Sequence, residues 1–250
     1  MTNIIEKFDR ITKTASRSLG FRISKDEDKN PSSIIIVSTK TITKQSINSL
    51  KKINPDALII HAEDLPKTKV DLLKDFSWGI NLNSLTIEKA EKNHKNKPDF
   101  FMFGIEDSQI EPLEEGSIGR FLFVENDITE FYIKNLEDLP IDVIVTSLPN
   151  EANITLNTLV TLANIRSYIT KYFFIESANQ LTNRELQELR EIGVDGFIFN
   201  EKVGLKEIAD MKEKINKLPD KKNKGTTKNN DRISFSVENV DIDDDEDDDE

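Results

Sequence analysis

The chain has 250 residues, of which 36% are hydrophobic, a net charge of −12 and no cysteine. The lack of cysteine excludes disulfides, thiolate nucleophiles, cysteine-ligated zinc and iron–sulfur clusters. Nine of the last ten residues are acidic, which leaves only −3 of the net charge to the other 240 residues. A nearly neutral body with an acidic end does not favour nucleic-acid binding.

No apolar run in the sequence is long enough to cross a bilayer. The first residues mix acids and bases where a signal peptide would be continuously apolar. We therefore predict a cytoplasmic protein without membrane contact, built as one domain followed by a tail. Nothing in the sequence indicates an oligomeric state.

The N-terminal segment 1–18 has the pattern of an amphipathic helix, with Ile4, Ile5, Phe8 and Ile11 on one face. We expect this helix to plug or flank the bottom of the main domain. Residues 19–23 form a short apolar stretch that would make an additional strand. The polar stretch after it is too short for a crossover helix, so the regular pattern begins at Ser33.

Eight short apolar runs follow from Ser33, and they are rich in β-branched and aromatic residues. Such runs are typical of strands that are buried on both faces of a parallel sheet. The predicted strands are 33–38, 57–61, 78–82, 100–104, 120–125, 142–147, 172–177 and 196–200. Polar stretches with helical spacing separate most of them, so strand and helix alternate along the chain.

Helix signals differ in strength between these strands. Asn153 is a predicted cap for a helix whose inward face would carry Leu156, Leu159, Val160 and Ala163. The next helix has a capping box at Thr182 and Glu185, a stripe formed by Leu186, Leu189 and Ile192, and a left-handed exit at Gly193. Segment 106–119 contains Pro112 and two glycines, which predicts only a short or broken helix.

An internal repeat supports the count of eight strands. Asp56 and Asp99 precede even-numbered strands, Asp142 opens the next one, and the three are 43 residues apart, while Asp195 marks a looser fourth copy. Alternate strands supply the same side-chain layers in an eight-stranded barrel, so a repeat of two strand–helix units is expected there. We therefore predict an α/β fold of the (β/α)8 barrel type, with its extra N-terminal helix.

The predicted domain is 1–220, in which 1–32 form the helix and lead-in and 33–218 form the barrel. After Leu218 the apolar pattern stops, and 221–250 have the composition of a disordered tail with an acidic end. Within the tail, 233–242 alternate apolar and polar residues, which leaves open the binding of a partner.

The closing third, FFIESANQLTNRELQELREIGVDGFIFN, resembles the last two units of the phosphate-binding TIM barrels. That resemblance implies a TIM-like barrel and phosphate binding by loop amides after the seventh and eighth strands. The first of these loops reads SANQLT and has no glycine, while the second reads NEKVGL with Gly204 alone. As a whole, the chain is similar to small bacterial TIM barrels of no assigned function.

Working residues of parallel barrels lie at the carboxyl ends of the strands. This rule selects Ser38, Thr39, Lys40, His61, Glu63, Asn81, Asn83, Glu106, Glu125, Ser147, Glu176 and Asn200. Lys40, Asn81, Ser147 and Asn200 are candidates without an assigned role. Their position alone places them near a ligand.

Three glutamates and one histidine of this set suggest chemistry. Glu106, Glu125 and Glu176 are predicted ligands of Mg²⁺ or another hard divalent ion, which would polarise a carbonyl or enolate. His61 is the predicted catalytic base. The alternative is structural, because glutamates at strand ends also cap the next helix and histidines also serve as hydrogen-bonded rim residues.

Two functions remain open at this point. The first is a small-molecule enzyme, a lyase or isomerase that acts on a carboxylate or phosphorylated metabolite, with the metal and His61 as its means. The second is a non-catalytic barrel that serves as an interaction scaffold, with its acidic tail on basic partners. The scaffold predicts a mouth plugged by bulky side chains, whereas the enzyme predicts an open pocket with convergent polar groups.

Overall fold

The computed structural model describes residues 4–14, 33–40, 42–114, 118–150 and 153–218. The stretch 19–23 and the predicted tail 221–250 lie outside the described residues. Within the described ranges, no helix combines the length and the apolar character needed to span a lipid bilayer.

All eight predicted strands are present. They are β1 (Ile34–Thr39), β2 (Ala57–His61), β3 (Trp78–Ser84), β4 (Phe100–Gly104), β5 (Gly119–Phe123), β6 (Val143–Ser147), β7 (Tyr172–Ser177) and β8 (Gly196–Asn200). Each strand pairs in parallel with the next, and β8 pairs with β1, so the sheet closes into a barrel. β5 ends at Phe123, two residues before its predicted end, and Glu125 therefore lies in the loop that follows.

The helices form a layer outside the barrel, apart from the first. They are α1 (Ile4–Thr14), α2 (Lys44–Ile53), α3 (Ile87–His94), α4 (Glu130–Leu136), α5 (Leu156–Ser167), α6 (Asn183–Ile192) and α7 (Leu205–Lys217). Glu111–Glu114 forms a 3₁₀ turn between β4 and β5, which confirms the short helix predicted from Pro112. Thr182 and Glu185 form the predicted capping box of α6, and Gly193 ends it with a φ of 112°.

The predicted start and inward face of α5 were wrong. Thr155 caps the helix instead of Asn153, and its hydroxyl accepts the N–H of Thr158. Leu156 and Val160 are 81% and 67% exposed, while Leu162 and Ile165 are buried against the barrel. α5 is apolar on two faces, so its spacing fits either orientation and only the packing against the sheet decides between them.

α1 closes the amino-terminal end of the barrel. Ile4 and Phe8 belong to the same buried cluster as Ile34, Ala57 and Phe100 at the strand starts. The ring of Phe8 lies 5.4 Å from Phe174 and 6.0 Å from Phe121, measured between centroids. The prediction that this helix plugs the bottom of the barrel is therefore confirmed for Ile4–Thr14.

The four repeated aspartates make the same pair of hydrogen bonds in all four copies. The carboxylate of each accepts a backbone N–H from the preceding strand, and its own N–H donates to the carbonyl of that same residue. The carboxylate bonds are Asp56 to Ile35 (2.8 Å), Asp99 to Trp78 (2.9 Å), Asp142 to Arg120 (2.8 Å) and Asp195 to Phe173 (3.1 Å). The repeat therefore reflects a fixed link between each odd strand and the even strand after it.

Replacing Asp99 by alanine is expected to lower the free energy of unfolding by about 1–3 kcal/mol, because the Trp78 N–H then loses its acceptor. The measurement is urea denaturation at neutral pH. Asp71→Ala is the matched control, since that side chain is 89% exposed and, among the described residues, pairs only with exposed Lys74. The control should change stability by less than about 0.5 kcal/mol, and equal losses in both variants would contradict the role of the link.

Candidate functional site

Polar side chains face the barrel interior at the carboxyl ends of six strands. Strand residues paired in a parallel register share a face, and inward and outward residues alternate along each strand. Ile59 and Ile198 are buried in the barrel interior, and the residues that pair with them, Ser38 and Glu176, face the same way. The polar residues on that face are Ser38, His61, Asn81, Ser147, Glu176 and Asn200. The register therefore places these six residues at one rim of the barrel.

A cavity of about 700 Å³ opens at this rim, beside β3, β4, β5 and the start of α4. We call it the acidic cavity. Its polar and aromatic lining residues are Asn81, Asn83, Glu106, Phe123, Glu125, Asp127, Thr129, Tyr132 and Glu176. Four of these are carboxylates, and none of the described lining residues is lysine, arginine or histidine.

Glu176 is the carboxylate that lies deepest in the acidic cavity. It is partly buried on β7, whereas Glu106, Glu125 and Asp127 are exposed in loops. Burial raises the pKa of Glu176, and attraction to His61 offsets part of the rise. No hydrogen bond to its carboxylate comes from any of the described residues, so nothing there stabilises its charge except His61.

His61 lies at the end of β2 and lines a second cavity of about 500 Å³. Asn81 and Asn83 line both cavities, so the two are neighbours at the mouth of the barrel. His61 is the residue whose attraction lowers the pKa of Glu176 across this mouth. A carboxylate with a raised pKa and an imidazole at one mouth can move protons to and from a bound molecule.

The four residues that were predicted without a role are Lys40, Asn81, Ser147 and Asn200, and three of them form hydrogen bonds in the loops. Lys40 is exposed past the end of β1. The side chain of Asn200 accepts the N–H of Lys202, and Asn81 likewise accepts that of Asn83, so both shape their own loops. The carbonyl of Ser147 accepts a hydrogen bond from Asn126.

The three glutamates predicted as metal ligands line the same cavity. Within the described ranges, no three histidine, aspartate or glutamate side chains are grouped closely enough to hold one ion. Hard divalent ions take several oxygen ligands at short distances. Metal ligation by Glu106, Glu125 and Glu176 stays a prediction from the sequence, without support from a cluster among the described residues.

Sequence reasoning missed part of the cavity wall. Phe123 alternates inward on β5, while Tyr132 and Thr129 come from the start of α4. Asn126 anchors the loop between β5 and α4, since it accepts the hydroxyl of Thr146 and donates to the Ser147 carbonyl. Inward and outward residues alternate along β5, and this pattern in the sequence identifies Phe123 as part of the wall. It does not identify Thr129 or Tyr132.

Carboxylates lie where phosphate-binding barrels present loop amides, after β8. Glu201 accepts a hydrogen bond from the hydroxyl of Thr39. The carboxylate of Glu207 lies over Gly204 at the start of α7, so close that a methyl group on Gly204 would come within 2.1 Å of it. Two negative side chains at this position oppose the binding of an anion.

No protein-family model matches this sequence, and no curated protein matches it. Orotidine 5′-phosphate decarboxylase from Pyrococcus horikoshii is a similar solved structure, with 10% identity, a TM-score of 0.57, and coverage of 73% of this chain and 100% of that one. KGPDC from Streptococcus mutans has 12% identity, a TM-score of 0.56 and coverage of 73% of this chain and 97% of that one. The chain has the fold of a TIM barrel.

Thiamine phosphate pyrophosphorylase from Pyrococcus furiosus is also similar, with 14% identity, a TM-score of 0.52 and coverage of 73% of this chain and 95% of that one. The resemblance to the phosphate-binding TIM barrels is thereby confirmed for the fold. At such identities the likeness says nothing about the reaction, because one barrel scaffold carries many chemistries.

Proposed function

We propose that this barrel is a small-molecule enzyme in which Glu176 is the general base and His61 moves protons with it. The observation that carries the proposal is the partly buried Glu176, whose charge has no hydrogen-bond partner among the described residues and whose pKa burial raises. A carboxylate with a raised pKa is a stronger base than an ordinary one. Active sites create such groups by burial.

The reaction type that suits this pair is a lyase or isomerase reaction. Glu176 would take a proton from carbon next to a carbonyl group, and His61 would give or take the proton at an oxygen atom. Both reactions need a base and an acid at one mouth, and neither needs a covalent nucleophile. No metal is required for these proton transfers.

The substrate class is a small carboxylate or phosphorylated metabolite. A cavity of about 700 Å³ has the volume of a typical small-molecule site. Two of the similar structures are, by name, a decarboxylase of a 5′-phosphate and a pyrophosphorylase of a thiamine phosphate. Those names support the class without identifying the compound.

The open mouth weighs against the alternative of a non-catalytic scaffold. That alternative predicts bulky side chains across the strand ends. The strand ends instead carry Ser38, His61, Ser147, Glu176 and Asn200, beside a cavity. We therefore favour the enzyme.

The test is proton exchange in D₂O. The full chain is incubated with separate pools of phosphorylated sugars, keto acids and hydroxy acids, and NMR follows the loss of C–H signals and the appearance of products. We expect exchange or conversion of at least one compound, above the level given by heat-inactivated protein. If no pool shows either, the proposal is wrong.

A further inference from the structure

The second cavity differs in charge from the acidic cavity beside it. We call it the basic cavity, and its charged and polar lining residues are His61, Glu63, Asn81, Asn83, Lys89, Lys92, Asn93 and Asn96. Glu63 is the single carboxylate among its described lining residues, and that residue is exposed. The mouth of the barrel thus has an acidic half near β4 and β5 and a basic half near β2, β3 and α3.

Two lysines give the basic cavity its charge, and they stand three residues apart on α3, so they share one helix face. The ammonium of Lys89 donates to the hydroxyl of Ser84 at 2.6 Å and to its carbonyl at 3.3 Å. An ammonium group has three donors, so one remains for a ligand. Neither Lys89 nor Lys92 forms an ion pair with a described carboxylate.

The helix that carries these lysines is held firmly. Thr86 caps α3 by accepting the N–H of Lys89, and buried Asn93 donates its amide to the Lys89 carbonyl at 2.8 Å. The side chain of Gln109 accepts the N–H of Ile87 at 2.9 Å, which ties the start of α3 to the loop after β4. The ammonium of Lys89 is also held by Ser84, and a held cation binds an anion with less loss of side-chain entropy than a free surface lysine.

We propose that the basic cavity binds the anionic end of the substrate, a phosphate or carboxylate group, while the reacting atoms lie next to Glu176. The position of the reacting atoms next to Glu176 rests on the proposed function, whereas the binding of an anion in the basic cavity does not. The anion enters here because Glu201 and Glu207 oppose it after β8. Asn81 and Asn83 line both cavities and lie along the path between them.

The experiment uses inorganic phosphate as the probe and the full chain labelled with ¹⁵N. Titration should shift the amide signals of 62–65 and 87–96 in a saturable manner. The double variant Lys89→Met/Lys92→Met and the single variant Lys92→Met, which changes an exposed side chain, should each weaken binding about tenfold or more. Lys95→Met is the matched control, because Lys95 is an exposed lysine at the end of the same helix and does not line the cavity.

Saturable shifts at 204–207 instead, unsaturable shifts everywhere, or equal weakening by Lys95→Met would overturn the assignment. A parallel titration with succinate identifies the group: binding of phosphate alone assigns a phosphate ester, and binding of both assigns a carboxylate as well. Glu176→Gln should bind phosphate as the wild type does. Phosphate binding without any proton exchange would refute the proposed enzyme and leave the anion site in the basic cavity standing. Proton exchange that Lys92→Met does not affect would refute the anion site alone.

Discussion

Glutamine at position 176 is expected to slow the proton-exchange reaction by about 10²- to 10⁴-fold, the range over which general acid–base groups contribute. Glutamine has the shape of glutamate but cannot accept a proton at neutral pH. The binding of substrate should change little, because the anionic end is held elsewhere. The loss should therefore appear in kcat and leave KM nearly unchanged.

The same substitution is expected to raise the stability of the protein at neutral pH. The folded-state pKa of Glu176 lies above its ordinary value of 4.5 because burial disfavours the charge. The folded state thus binds the proton more tightly than the unfolded state, and wild-type stability falls as the pH rises through the folded pKa. Urea denaturation should give the variant a higher free energy of unfolding than the wild type above this pH. The difference should vanish below about pH 4.5, where the glutamate is protonated in both states.

Glu91→Gln is the matched control for both effects, because Glu91 is exposed on α3 and lines neither cavity. It should leave rate and stability as they are. A Glu176→Gln variant that keeps the wild-type rate would refute the role of Glu176 as the base. A variant that loses both rate and stability would indicate a structural role.

Truncation of Phe8 to alanine is expected to lower the free energy of unfolding by about 3–5 kcal/mol, as is usual when a buried phenylalanine is removed from a core. Phe8 is fully buried, and its ring meets Phe121, Tyr172 and Phe174 inside the barrel. No other described residue of α1 places an aromatic ring there. The void left at the bottom of the barrel has rigid strand walls and collapses poorly.

Phe131→Ala is the control, since it is the same chemical change at a phenylalanine that is 74% exposed. We expect less than about 0.5 kcal/mol from it. Proton exchange by Phe8→Ala should match the wild type below its lowered melting temperature, because the mouth lies at the opposite end. Similar losses in the two variants would contradict the view that α1 is part of the barrel core.

The barrel was predictable because its strands are buried on both faces and therefore appear as continuous apolar runs. The first and the last residue of β2, β4, β7 and β8 are the predicted ones. The orientation of α5 was not predictable, since Leu156 and Val160 are as apolar as Leu162 and Ile165. The aspartate repeat showed that alternate strands are alike, but its cause lies in hydrogen bonds to residues 21 or 22 positions away.

The site was predictable only where a strand fixes the side chain. His61 is the last residue of β2 and Glu176 the last but one of β7, and alternation along each strand directs both inward, so the strand-end rule found them. Glu106 and Glu125 stand exposed in loops, where no strand alternation fixes the direction of a side chain. Lys89 and Lys92 were missed, because lysines on a predicted outer helix look like ordinary solvent-exposed residues.

The most direct test of this account is a ¹³C NMR titration of the Glu176 carboxyl carbon in wild type and in His61→Gln. The account predicts a wild-type midpoint above the ordinary value of 4.5, because burial dominates, and a still higher midpoint in the variant, because the attraction to His61 is removed. A wild-type midpoint at or below 4.5, or one that does not move in the variant, would contradict it.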